Sequence, residues 1–137
     1  GGAMADRDVL ASGSINATGR SLMAQDCIFC RIVAGELPAT LVREEDDVVA
    51  FRDIDPRAPT HVLVIPRRHI ASVNDLGAED AELVGRLFLV AKEVAREEGV
   101  NETGYRLVMN TGPHAGQSVD HIHLHLLGGR DLAWPPG

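Results

Sequence analysis

Near its C-terminus the chain reads Asp120-His121-Ile122-His123-Leu124-His125-Leu126-Leu127-Gly128-Gly129, so three of its six histidines stand at alternate positions. A period of two is what a strand needs to show one set of side chains on each face, imidazoles on one and Ile122, Leu124 and Leu126 on the other. Neighbouring histidines on such a strand stand roughly 6.6 Å apart and the outer two roughly 13 Å apart, given a rise of about 3.3 Å per residue. His123 is then the one within reach of both others. Zinc holds imidazole nitrogen at about 2 Å, and three histidines along one straight strand fit a single ion poorly. A row of acid, nucleophile and acid fits better, because imidazole exchanges its proton near neutral pH and can attack phosphorus or acyl centres.

Other residues add chemistry to this row. Thr111–Val119, just upstream, contains Gly112 and Gly116, which let backbone N–H groups approach an anion, and Asn110, Gln117 and Ser118 supply neutral donors. The loop looks built to hold something anionic against His123. Cys27 and Cys30 form a single C-x-x-C, a spacing of zinc or redox sites more than of a disulfide framework. Two small apolar residues on the buried side of a short helix is the competing reading.

Local pattern sets the scaffold that carries these groups. Asp26 is placed to cap a short helix over Cys27–Ala34 that stops at Gly35. Thr40–Glu44 and Val48–Arg52 read as strands joined by an acidic turn, and Thr60–Pro66 as a further β-branched strand that begins at His61 after a proline-containing loop. Asp75 is a fair cap for a helix beyond it. From Ala78 to Glu98 the pattern is helical, with Leu83, Leu87, Val90, Ala91 and Val94 in one stripe and Gly99 as the stop. Tyr105–Asn110 is another strand. The tail from Arg130 to Gly137 carries the only tryptophan, Trp134, beside two prolines; it is too short for a core of its own and is expected to cover its own site or a partner's.

With 137 residues, 45% of them hydrophobic and 24% charged, the chain suits one globular domain. Residues 1–25 show no sustained period and are expected to be a flexible extension, with Gly1–Met4 read as a cloning remnant and Met23 as a native start; the folded domain is assigned to 26–137. A net charge of −7, from 20 acidic and 13 basic residues, disfavours nucleic-acid polymers and anionic membranes, which are held by neutralising phosphates. No apolar run approaches a transmembrane span, and a cytoplasmic location is expected.

Taken together, the alternating histidines, Gly116-Gln117-Ser118-Val119 before them, Gly128-Gly129-Arg130 after them and the Trp134-Pro135-Pro136-Gly137 end resemble the histidine-triad (HIT) superfamily, in its HINT-like branch of purine nucleoside phosphoramidases. Cys27-Ile28-Phe29-Cys30, Phe51-Arg52-Asp53-Ile54, Ala58-Pro59-Thr60-His61 and Leu63-Val64-Ile65-Pro66 are similar to the same branch. The resemblance implies an α+β fold, an antiparallel meander-like sheet with one long and one short helix, and two sheets joined across a homodimer. It implies cleavage of the P–N bond of purine nucleoside 5′-phosphoramidates, and of aminoacyl-adenylates, through a nucleotidyl-histidine. His123 would be the nucleophile, with His61, His121, His125 and Ser118 around it. Asp53 would hold the ribose, and Ile54, Phe29, Ile32, Phe51 and Leu63 would line the base slot. Asn110, Gly116, Gln117 and Ser118 would surround the phosphate, and Trp134 would close the site. No cofactor is expected to be required, although some bacterial relatives hold structural zinc with residues matching Cys27, Cys30, His69 and His121. Two other readings stay open: a dinucleoside polyphosphate hydrolase or nucleotidylyltransferase, and a purine-nucleotide-binding regulatory module.

Overall fold

The computed structural model describes residues 26–137, so the extension expected over 1–25 lies outside the described residues. The elements are α1 (Ile28–Val33), β1 (Leu41–Glu44), β2 (Val48–Arg52), β3 (Thr60–Pro66), α2 (Ala81–Glu97), β4 (Tyr105–Val108) and β5 (Leu124–Gly128). Short 3-10 turns at Val73–Asp75, Ala78–Asp80 and Pro113–Ala115 join them. The strands make one antiparallel sheet in the order β1-β2-β3-β5-β4. The first three form a meander. After α2 has crossed the sheet the chain takes the far edge as β4, and β5 then fills the space against β3.

β3 is central, and all seven of its residues are buried. Alternation along it decides what each face of the sheet meets. Val62 and Val64 join Val48, Ala50, Leu124 and Leu126 on the face covered by Leu87, Val90, Ala91, Val94 and Ala95 of α2. Leu63 and Ile65 join Val49 and Phe51 on the opposite face, against Cys27, Phe29 and Cys30 from the short helix. The apolar stripe expected in the long helix is thus the buried one, with Leu83 packed at its margin. Among the described residues no helix is long and apolar enough to cross a membrane.

Local structure departs from expectation at three points. Cys27, not Asp26, is the N-cap of α1, because its sulfur accepts the Cys30 N–H at 3.4 Å. The long helix enters through a 3-10 turn, and buried Asp80 receives the Gly77 N–H at 2.8 Å and an Arg68 guanidinium; Asp75 instead closes a separate capping box with Ser72. The histidine strand begins only at Leu124. Upstream of it His121 N–H bonds the Val119 carbonyl at 2.9 Å and Ile122 N–H bonds the Ile70 carbonyl at 2.8 Å, which bends the backbone out of the ladder.

Candidate active site

That bend divides the histidine row. His123 and His125 stay on the α1 side of the sheet with ring centroids 5.0 Å apart, and His61 of β3 joins them 5.2 Å from His125. The register explains the last contact: Leu63 pairs with His125 and His61 with Leu127, so the two imidazoles are diagonal neighbours on one face. His121 also lies beneath the first helix but is wholly buried against Cys27, Cys30 and His69, outside the cavity. The rings in mutual contact are therefore His61, His125 and His123, not the row His121, His123 and His125 expected of one straight strand. The hydrogen bond from His121 to His123 runs through the His121 main-chain carbonyl.

Hydrogen-bond partners settle which nitrogen of each ring carries the proton. The Arg57 backbone N–H donates to His61 Nδ1 at 3.0 Å, so His61 bears its proton on Nε2. His61 Nε2 lies 2.9 Å from His125 Nδ1, which must accept, leaving His125 with Nε2–H. His123 Nδ1 lies 2.8 Å from the His121 carbonyl, an acceptor only, so His123 donates there and keeps a lone pair on Nε2. His123 thus presents a bare Nε2 and His125 an Nε2–H. Burial pushes all three below the ordinary imidazole value, and nearby His123 and His61 help carry His125 down to about 4. The rings are accordingly neutral at pH 7.

The relay is braced from outside the pocket. Arg130 donates to the Arg57 carbonyl from Nε at 3.2 Å and from Nη2 at 2.8 Å. It reaches there because Gly129, at φ +92, lets the backbone pass Pro59 where a Cβ would stand 2.9 Å from that ring. The Gly-Gly-Arg run thus holds the segment whose N–H fixes the tautomer of His61. Asp53 completes the group, with Oδ2 3.4 Å from His61 Nε2 and Oδ1 accepting the Asp55 N–H at 2.8 Å.

A cavity of about 710 Å³ opens beside His123 and His125, within the span of small-ligand sites. Of the residues singled out from sequence, Phe29, Ile32, Phe51, Asp53, Ile54, Leu63 and Ser118 line it. Phe29 stands edge-on to Phe51 at 5.4 Å and to the His123 ring at 5.1 Å. Ile28, Leu37, Pro38, Ala39, Thr40, Arg52 and Val119 also line the cavity and were not singled out from sequence. Leu37–Ala39 is coil without periodicity; only its position directly after the C-x-x-C helix could have signalled it.

Other expected residues lie elsewhere. Gln117 spends its amide on the loop: Oε1 accepts the Gly112 N–H at 3.0 Å while Nε2 donates to the carbonyls of Ala71 at 2.7 Å and Val119 at 3.1 Å. It shapes the loop rather than the cavity wall. Asn110 and Gly116 are also outside the lining. Trp134 is 80% exposed, away from its own chain's cavity, with the Arg106 guanidinium 5.8 Å over its ring.

Cys27, Cys30, His69 and His121 form a second, buried cluster whose four donor atoms all lie within 4.8 Å of one another. Sulfur to Nδ1 distances are 3.4 Å for Cys27 to His121, 3.5 Å for Cys30 to His121 and 3.2 Å for Cys30 to His69. Zinc bonds of about 2.3 Å to sulfur and 2.0 Å to nitrogen at tetrahedral angles put such atoms about 3.5 Å apart. His121 Nε2 donates to the Pro66 carbonyl at 2.8 Å, which turns the lone pair of Nδ1 toward the sulfurs, as a metal ligand requires. The Cys27 thiol is drawn far below its usual value by the hydrogen bond with Cys30, against the opposing push of burial. The quartet fits a structural zinc.

The profile of the HIT domain matches residues 34–132. The chain belongs to the HIT domain family. Among HIT relatives, the purine nucleoside phosphoramidase of Escherichia coli (strain K12) is 53% identical over 110 residues, covering 80% of this chain and 92% of that protein. A crystal structure of a HIT family hydrolase from Legionella pneumophila Philadelphia 1 superposes with a TM-score of 0.81 at 54% identity, covering 82% of this chain and 100% of that one. A zinc-bound histidine triad family protein from Mycobacterium smegmatis superposes with a TM-score of 0.67 at 32% identity, covering 79% and 78%.

Proposed function

We propose that this HIT protein is a hydrolase that cleaves the P–N bond of purine nucleoside 5′-phosphoramidates, and the acyl-phosphate bond of aminoacyl-adenylates, through a nucleotidyl-histidine at His123. The observation that carries the reading is the His123 Nδ1 bond to the His121 carbonyl, which leaves Nε2 of a cavity-lining ring as a nucleophile. The 53% identity to a purine nucleoside phosphoramidase supports the substrate class.

The chemistry follows from the tautomers. His123 Nε2 attacks the α-phosphorus, a P–Nε2 bond forms and the P–N bond to the leaving group breaks. The bound anionic phosphate favours one extra proton on the His61–His125 pair, and the departing nitrogen takes a proton from His125 Nε2, which leaves that pair neutral. Attack gives His123 a positive charge 5.0 Å from His125, which makes that proton easier to release. Water then attacks the phosphorus, the P–Nε2 bond breaks, and the proton lost by water returns to the His61–His125 pair. The nucleoside monophosphate leaves. Ser118, on the cavity wall, would donate to the phosphoryl oxygens, Asp53 would accept from the ribose hydroxyls, and Phe29, Phe51, Ile32, Leu63 and Ile54 would enclose the base. Zinc on Cys27, Cys30, His69 and His121 would be structural, cross-linking the first helix to the segment before β5.

A homodimer is part of the proposal. β4 is an edge strand with every residue half-buried, and Phe88 and Leu89 of α2 are exposed apolar groups. A second copy pairing along β4 would remove that edge. Trp134, stacked under Arg106 of β4, would then reach the partner's cavity.

The test is turnover of adenosine 5′-phosphoramidate with acid-quench mass spectrometry. Wild type should accumulate a nucleotidyl adduct on His123, and His123→Ala should lose at least about 10²–10⁴-fold in kcat. Undiminished turnover in His123→Ala would rule the mechanism out.

A further inference from the structure

The metal cluster and the nucleotide cavity are built from the same short stretches of chain. The first helix gives Cys27 and Cys30 to the cluster and, from the two positions between them, Ile28 and Phe29 to the cavity. The Phe29 ring stands edge-on to both His121, at 5.9 Å, and His123, at 5.1 Å. On the other side, His121 offers Nδ1 to the sulfurs while its carbonyl holds His123 Nδ1 at 2.8 Å. Two independent links, one aromatic and one through the main chain, therefore run from the metal ligands to the nucleophile.

We infer that metal at the Cys27/Cys30/His69/His121 cluster and nucleotide in the adjoining cavity stabilise each other, with Phe29 and the His121 carbonyl as the positioning elements. The inference rests on reading the cavity as a purine nucleotide site. Metal fixes the spacing between the first helix and His121. That spacing sets both the width of the base slot and the aim of His123 Nε2. A nucleotide wedged against Phe29 and His123 holds the same spacing from the opposite side. Coupling of this kind is reciprocal, so each ligand raises the other's affinity by one common factor, typically about 5–150-fold.

The experiment uses the zinc-loaded chain under reducing conditions. Zinc loss to a chromophoric chelator is followed with and without a saturating purine nucleoside monophosphate, whose binding is measured directly by calorimetry. The same measurements are made on the cobalt-substituted chain, whose visible spectrum reports ligand geometry. The expected results are slower and less complete zinc loss with nucleotide, and a nucleotide-dependent change in the cobalt spectrum. In Phe29→Leu, which keeps all four ligands, both effects should shrink. Equal zinc loss despite bound nucleotide overturns the coupling. So does protection with an unchanged cobalt spectrum that persists undiminished in Phe29→Leu, because that is general stabilisation of the fold by a ligand. Zinc bound as tightly by Cys30→Ser as by wild type overturns the inference by placing the metal elsewhere. Absence of any nucleotide binding in the loaded chain would instead sink the functional reading, and is told apart by the calorimetry.

Discussion

At the residue scale, the site depends on keeping buried imidazoles neutral. His125 falls from an ordinary value of 6.5 to about 4 because burial, and then His123 and His61, disfavour its charged form. A depressed folded value means that the unfolded chain binds more protons between those two limits. The stability contribution is whole above pH 6.5 and is lost as pH falls toward about 4. Thermal midpoints should therefore drop across that window, and His125→Gln should flatten the slope; an equal slope in the variant would refute the assignment. Part of the cavity lining was legible because Asp53-Ile54 and Phe29 sit in recognisable strings. The direction of His121 was not. Alternation of period two says which residues share a face once a ladder exists, but not where the ladder begins. A tight turn at Val119–His121 sends that ring to the sulfurs.

At the scale of elements, the relay is only as firm as the segments bearing it. Arg130 reaches the Arg57 carbonyl across 73 positions of sequence, and the Arg57 N–H in turn holds His61. Arg130→Ala should lower kcat several-fold with little change in KM, because ground-state contacts to substrate are untouched while the donor chain loosens. A change confined to KM would show that Arg130 acts on binding instead. Gly129→Ala should cost about 1–3 kcal/mol of stability in denaturant unfolding, from positive φ and the clash with Pro59. The strands and the long helix were readable from periodicity. The Arg130 contact was not, because nothing local to either segment announces a partner so far away. Strand order was hidden for a similar reason: β5 beside β3 follows from how α2 carries the chain across the sheet.

At the scale of the whole molecule, the sheet is covered on both faces but open along β4. Sedimentation equilibrium should return twice the mass of one chain. Trp134→Ala should raise KM more than it lowers kcat, by removing a wall supplied from the neighbouring copy; a monomeric mass with unaltered KM would leave the tail without that role. Sequence pattern alone does not separate the fates of such an edge, since an amphipathic strand reads alike whether its edge meets water or another chain.

Cys27 and His121 touch although 94 positions separate them. A ribosome must therefore have released the chain past His121 before the sulfur-imidazole quartet exists, and past His125 before the reactive pair does. Fragments cut short before His121, whether by early termination or proteolysis, would carry helix and sheet segments yet lack both the His123–His125 pair and a complete cage for an ion.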